Sequence, residues 1–284
     1  MSTAVRPCRS VLFLPASNRR AAAKARGLDC DAVVLDLEDS VGAADKAQAR
    51  AAALEEARAG GYGVRRLAVR VNGLDTPWGA DDLKAVATEP FDAVVTPKIN
   101  DGADISRYDA ALSAAHKGLE IWATIETPRA LLRLEDIAVM AGSTRLRMLM
   151  LGANDLAASL RLQPAPARAP LQPIMIMLVA VCRAYGLEVV DGGVNDYRDL
   201  EDLEAETVQA RQFGFDGKSA IHPAQLPVIR RVFDGGVEER AWAEAVVAAY
   251  ALPQNQGAGA IQVDGRMVER MHLAEAERLL RGHG

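Results

Sequence analysis

A (β/α)8 barrel is the fold this 284-residue chain predicts, and three observations carry the prediction. Eight short β-rich apolar runs alternate with Ala/Leu/Glu/Arg-rich stretches as far as about residue 222. Most runs are continuously apolar rather than alternating, as parallel strands covered on both faces require. Most also end in a polar or charged residue, and the C-terminal strand ends of a barrel are where its site is built. An open doubly wound sheet usually has fewer strands, so eight βα units favour closure.

In order, the runs are SVLFLP (10–15), DAVVLDLED (31–39), RLAVRVN (66–72), DAVVTPK (92–98), EIWATIE (120–126), LRMLMLGAND (146–155), LEVVDGG (187–193) and GKSAIHP (217–223). Strong helix formers fill the intervals at 43–59, 80–88, 103–117, 128–140, 172–185 and 199–213. The Pro-rich QPAPARAP (163–170) follows the sixth run, which places it over the mouth as a spacer or a cover. Beyond the eighth run the rhythm stops. AWAEAVVAAYAL (241–252) reads as an amphipathic helix, QNQGAGAIQVDGR as a Gly-rich polar connection, and MVERMHLAEAERLLRGHG as a closing helix. The expected organisation is a catalytic barrel over 1–225 and a C-terminal helical lid and oligomerisation segment over 226–284.

Composition removes other classes. Lys and Arg number 33 against 38 Asp and Glu, a net charge of −5, so the chain lacks the basic excess that nucleic acid or an anionic membrane favours. A polyanionic ligand would need a local basic patch. Cys8, Cys30 and Cys182 are scattered and odd in number, which suits buried small side chains in a reducing, cytoplasmic setting. VLFLPA is too short for a signal-peptide core, and the apolar run 174–182 falls far below the roughly 20 residues of a bilayer span.

Polar residues that close apolar runs are the site candidates. Asp36, Glu38 and Asp39 close the second; Arg70 and Asn72 the third; Lys98 the fourth; Glu126 the fifth. Asn154 and Asp155 close the sixth, Asp191 the seventh, and His222 follows the eighth. Any one of them alone reads equally as a helix N-cap. Together they suggest convergence, because charges at the ends of apolar runs are costly unless paired or metal-bound. Glu126 and Asp155, from neighbouring strands, describe a Mg2+ site completed by waters and substrate oxygens, with Mn2+ as a substitute. Zn2+ is disfavoured, since His116, His222, His272 and His283 show no ligand spacing. Arg70 would neutralise a carboxylate or a developing enolate oxygen opposite the metal.

RSVLFLPASNRRAAAKA, AVVLDLEDSV, VRVNG, VVTPKI, IETPRAL, LMLGANDLA, VDGGVND and FGFDGKSAIHP, in this order, closely resemble the citrate lyase β-subunit-like family of the HpcH/HpaI aldolase superfamily. That family includes malyl-CoA and citramalyl-CoA lyases and thioesterases. The resemblance implies that Arg70 contacts the acid substrate, that Glu126 and Asp155 bind Mg2+, and that Asp36, Glu38 and Asp39 support the metal's waters and Arg70. It also implies that Arg19, Arg20 and Lys24 hold the CoA phosphates, the local patch the net charge demands. Solvated helix charges are the plain alternative for those three. In the family the C-terminal segment reaches a neighbouring subunit's mouth in a homotrimer and delivers an Asp within G-K-M-[VI]-D-x-P. Here the run is GRMVERM, with Glu269 at the Asp position and Met271 at the Pro. The extra methylene moves the carboxylate by roughly 1.5 Å, enough to alter proton transfer. Asp264, five residues earlier, is a substitute.

The expected reaction is a Mg2+-dependent carbon–carbon lyase step on a hydroxyacyl-CoA such as citryl-, malyl- or citramalyl-CoA. It releases a 2-oxo acid (oxaloacetate, glyoxylate or pyruvate) and an acyl-CoA, with thioester hydrolysis as a related activity. Three rivals stand beside it. They are a class II pyruvate aldolase without CoA, a Schiff-base aldolase using Lys98 or Lys218, and the β subunit of a citrate lyase complex that needs an acyl-carrier partner.

Overall fold

The computed structural model describes residues 8–281; His283 lies outside them. The eight runs form parallel strands in one closed barrel: β1 (Ser10–Pro15), β2 (Ala32–Asp36), β3 (Arg66–Arg70), β4 (Ala93–Thr96), β5 (Glu120–Ile125), β6 (Leu146–Leu151), β7 (Glu188–Asp191) and β8 (Gly217–Ala220). β8 pairs with β1 through Ser10 opposite Lys218, so no edge is left unpaired.

Strand periodicity divides the apolar runs into two cores. Val11, Val34, Ala68, Val95, Trp122, Met148, Met150 and Val190 fill the barrel interior. Alternate residues such as Leu12, Leu35, Val69, Ile121, Leu149 and Val189 face the helices in a larger core. Trp122 is fully buried among small neighbours, Ala32, Ala68 and Ala93, so bulk on one strand is matched by its absence on others. Two positions along the same parity from Val34 and Ala68 come Asp36 and Arg70, and Glu126 continues from Trp122. These three therefore face into the barrel at its C-terminal end.

The helices follow the sequence with local departures. Gln172–Tyr185 and Leu200–Phe213 form as expected, the latter capped by Asp199 accepting from Asp202 N. The stretch 128–140 breaks into Pro128–Leu132 and Leu134–Ala138 because Arg133 leaves helical backbone at φ −129°, ψ 23°. The stretch 103–117 stops early, as helix Gly102–Ala111. The Pro-rich loop becomes a 3-10 segment, Pro166–Leu171, in which Ala167 and Arg168 take left-handed φ values of 52° and 49°. Helix Leu226–Asp234 packs on β1, β8 and helix Leu200–Phe213, so the helical layer of the barrel continues beyond residue 225. The three cysteines are free and buried.

Between its two helices, Val237–Ala251 and Arg270–Arg281, the C-terminal segment carries a hairpin, β9 (Ala260–Val263) and β10 (Arg266–Glu269). The Gly-rich, polar composition of this stretch predicts only a connection. Asp264 and Gly265 both adopt positive φ, 44° and 78°, the backbone that a two-residue hairpin turn needs, and Asp-Gly supplies it. Ala243, Val246, Tyr250, Val263, Val268 and Ala276 form a separate small core, in which Tyr250 Oη donates to Val268 O at 2.8 Å. The closing helix and the start of the preceding one flank a cavity of about 1170 Å³. Its opposite wall is Arg9, Leu187, Glu188 and Asp216, at the N-terminal ends of β1, β7 and β8. The segment thus packs beside the end of its own barrel opposite the mouth.

Candidate active site

Arg70 is the centre of the mouth. Its Nε and one terminal nitrogen donate to both oxygens of Asp36, at 2.6 and 2.7 Å. The other terminal nitrogen lies 3.1 Å from Glu38 Oε2 and 3.6 Å from Asp39 Oδ2. Phe13 places its ring 5.4 Å from the guanidinium, walling one side of it. Burial alone would depress the Arg70 pKa, but the surrounding carboxylates hold it above its usual range. Asp36 is buried too, which favours its neutral form, yet the Arg70 fork, Ser40 and the Glu38 N–H outweigh burial and hold its carboxyl low. Glu38 behaves oppositely. Burial, then Asp39 and Glu126, push its carboxyl up to about 7 against the pull of Arg70. Its Oε2 is buried and close to Arg70, but outside hydrogen-bond geometry.

The second half of the mouth is a pair of carboxylates with a cation between them. Lys98 Nζ lies 2.8 Å from Asp155 Oδ1 and 3.6 Å from Glu126 Oε1. The Lys98 backbone N–H also donates to Glu126 Oε1, at 2.7 Å. Burial raises the Glu126 pKa, and Asp155 adds to it, while Lys98 and Arg70 oppose it. Gly152 makes the space: a Cβ there would sit 2.4 Å from Glu126 Cβ and 2.6 Å from its Oε2. Five carboxylates, Asp36, Glu38, Asp39, Glu126 and Asp155, face only Arg70 and Lys98. A hard divalent cation fits this donor set, because an ammonium already stands between two oxygen ligands with surplus negative charge beyond them. Among the described residues no three His, Cys, Asp or Glu side chains are placed to hold one metal ion together, so a cation here would complete its shell with water and substrate oxygens.

A family model described as HpcH/HpaI aldolase/citrate lyase matches residues 9–223. This chain belongs to that family. As a member of the HpcH/HpaI aldolase/citrate lyase family it is an enzyme of the carbon–carbon lyase type. It is 40% identical over 280 residues to a (3S)-malyl-CoA thioesterase of Cereibacter sphaeroides, covering 99% of this chain and 96% of that one. It is 33% identical over 302 residues to an L-malyl-CoA/beta-methylmalyl-CoA lyase of the same organism, covering 97% and 94%. The structure of CitE from Mycobacterium tuberculosis, in complex with magnesium, acetoacetate and coenzyme A, superposes with a TM-score of 0.79. That protein is 29% identical, with 98% of this chain and 99% of that one covered.

Other residues expected at the mouth of this family member lie elsewhere or do other work. Asp191 shares the parity of Val189 and points outward, where it accepts from Lys218 Nζ at 2.7 Å and Arg168 at 2.9 Å. Lys218 is fully buried under helix Leu200–Phe213 by the same alternation, away from any Schiff-base position at the mouth. Asn72 is buried and donates to Asp82 Oδ2 at 2.6 Å, anchoring helix Gly79–Val86 to β3. Asn154 exchanges side-chain hydrogen bonds with Asn195, tying the first turn of helix Ala153–Leu160 to the loop after β7. His222 stacks on Tyr197 at 4.3 Å, and its Nδ1 accepts from Ala224 N.

Arg19, Arg20 and Lys24 lie exposed on the short helix Arg19–Ala25. Arg19 pairs with Glu55, whereas Arg20 and Lys24 have no ion pair among the described residues. Glu269 closes β10, three residues from His272 on the wall of the cavity opposite the mouth, so it does not join Arg70 and Glu126 of its own chain. Sequence patterns pair Lys98 with neither carboxylate and do not single out Gly152. A glycine directly at the end of the apolar run LMLGAND was the available signal for Gly152.

Proposed function

We propose that this enzyme cleaves the carbon–carbon bond of a hydroxyacyl-CoA thioester, releasing a 2-oxo acid and an acyl-CoA. The observation that carries the reading is the convergence of Glu126 and Asp155 on the barrel end that also holds the Asp36-braced Arg70. Glu126 and Asp155 would hold Mg2+, with Mn2+ as a substitute. When bound, Mg2+ would supply Lewis acidity to the substrate's hydroxyl and carboxylate oxygens. Arg70 binds the substrate's acidic end and stabilises negative charge as it moves toward the thioester. It cannot swing away, because both Asp36 oxygens grip one edge of its guanidinium and leave the other edge to the substrate. Glu38, poised near neutrality, takes up the hydroxyl proton. The bond between carbinol carbon and α-carbon breaks, its electron pair passes to the thioester enolate, and a carboxylic acid protonates the α-carbon.

That acid is assigned to Glu269 of a neighbouring copy in a homotrimer, since the segment carrying it packs at the far end of its own barrel. Arg20 and Lys24, with Arg19 beside them, are the cations offered to CoA phosphates. Two inactive variants test the exchange of lids. Glu126→Gln and Glu269→Gln homooligomers, unfolded together and refolded as an equal mixture, are expected to regain up to roughly a quarter of wild-type activity as intact sites form in mixed assemblies. No regain would remove the shared site.

A second reading, hydrolysis of the thioester, is favoured by the 40% identity to a malyl-CoA thioesterase. Malyl-CoA with the purified chain and Mg2+ separates the readings. Glyoxylate and acetyl-CoA in equal amounts mark cleavage, whereas malate and free CoA thiol mark hydrolysis. Turnover of free CoA esters by the chain alone also tells against a complex-dependent subunit. Turnover of hydroxy-oxo acids with no response to CoA esters would establish the pyruvate aldolase instead.

A further inference from the structure

Lys98 has an unusual backbone for its residue type. Its φ of 52° lies in the left-handed region, which a side chain with a Cβ adopts only at a steric cost. That cost is sustained by a clamp. Asn100 Nδ2 donates to Lys98 O at 3.1 Å, and Thr127 Oγ1 donates to Asn100 Oδ1 at 3.0 Å and to Ile99 O at 3.1 Å. Thr127 directly follows Glu126, so the ends of β4 and β5 are locked together. The product of this geometry is that one residue aims two positive groups at Glu126: its N–H at 2.7 Å, and its ammonium at 3.6 Å with Asp155 at 2.8 Å on the other side. The side chain is 38% exposed, so it can leave without unpacking the core. The buried Lys218 has no such freedom.

We propose that the Lys98 ammonium is a built-in competitor for the divalent-cation position, and that on cation binding it swings out to pair with the carboxylate of the oxo acid. Its ammonium is thus a substrate-binding group, and the proposal rests on the assignment of Glu126 and Asp155 as cation ligands. Without a cation, Lys98 neutralises two carboxylates that would otherwise repel each other at the mouth. A divalent ion must displace it, so the ion alone binds weakly. An anionic oxo acid captures the displaced ammonium, so ion and oxo acid strengthen each other's binding by the same factor.

The test is Mn2+ affinity, read by electron paramagnetic resonance, with and without pyruvate. The proteins are wild type, Lys98→Met, Lys98→Gly and Glu126→Gln. Lys98→Gly keeps the left-handed backbone and its N–H while removing the ammonium; Lys98→Met removes the charge at similar length. Both Lys98 variants are expected to bind Mn2+ alone about tenfold more tightly than wild type and to lose most of the tightening that pyruvate produces. Unchanged or weaker Mn2+ binding in both overturns the proposal, as does tightening in Lys98→Gly alone, which would trace to relieved backbone. Wild-type affinity in Glu126→Gln would instead overturn the assignment of the cation ligands.

Discussion

β3 carries an inward arginine at each end, and the two differ in what surrounds them. Arg66, at the N-terminal end, is 5% exposed and donates to Glu188 at 2.9 and 3.0 Å and to Glu120 at 3.3 Å. Trp122 closes that network, with Nε1 donating to Glu120 and its ring 5.7 Å from the guanidinium. Arg70, four residues on, meets an excess of carboxylates, one of which leaves a buried oxygen without a hydrogen bond. The closed network plugs the barrel floor. The open one retains acceptors and negative charge that only a further cation and a substrate can use. Unsatisfied capacity, rather than the presence of buried charge, is what distinguishes the functional end.

The contrast can be broken at several points. Arg70→Lys should keep the fold yet lower activity by roughly 10²–10³-fold, since a lysine cannot grip Asp36 bidentately and still present a donor to substrate; steady-state kinetics beside an unchanged circular dichroism spectrum checks this. Arg66→Met should do the reverse, costing about 3–5 kcal/mol of stability by stranding Glu120 and Glu188, with Mn2+ affinity unaltered. Denaturant unfolding and metal titration on the same preparation decide between the two outcomes. A Gly152→Ala substitution forces Glu126 aside and should weaken Mn2+ binding about tenfold with a stability loss of roughly 1–3 kcal/mol.

Glu38→Gln offers the smallest effect and the most specific sign. Because the folded carboxyl titrates near 7 instead of its usual 4.5, the folded state binds more protons than the unfolded one across that interval. This group's contribution therefore falls as pH rises through the window and stays unfavourable above it. The metal-free variant should be more stable than wild type at pH 8 by about 1–3 kcal/mol, and no more stable at pH 4. Melting temperatures at the two values measure the difference.

Legibility tracked the range of the interaction. Eight apolar runs, their order and the charges at their ends were readable because each is a local pattern, and the neighbouring strands of Glu126 and Asp155 follow from chain order. Side-chain facing was harder. Asp191 closes its run as Glu126 does, yet one register position sends it outward to Lys218. The hairpin at 260–269 was readable from Asp264-Gly265 but masked by its polar, Gly-rich surroundings. By itself the sequence determined a barrel of eight βα units, a family and a set of charged strand ends, because periodicity and motif order need no partner in space. Tertiary structure alone decided that Lys98 stands between Glu126 and Asp155, that Arg70 is gripped by Asp36, and that Glu269 lies away from its own mouth. Those are contacts between residues far apart in the chain, and their geometry exists only once the barrel closes.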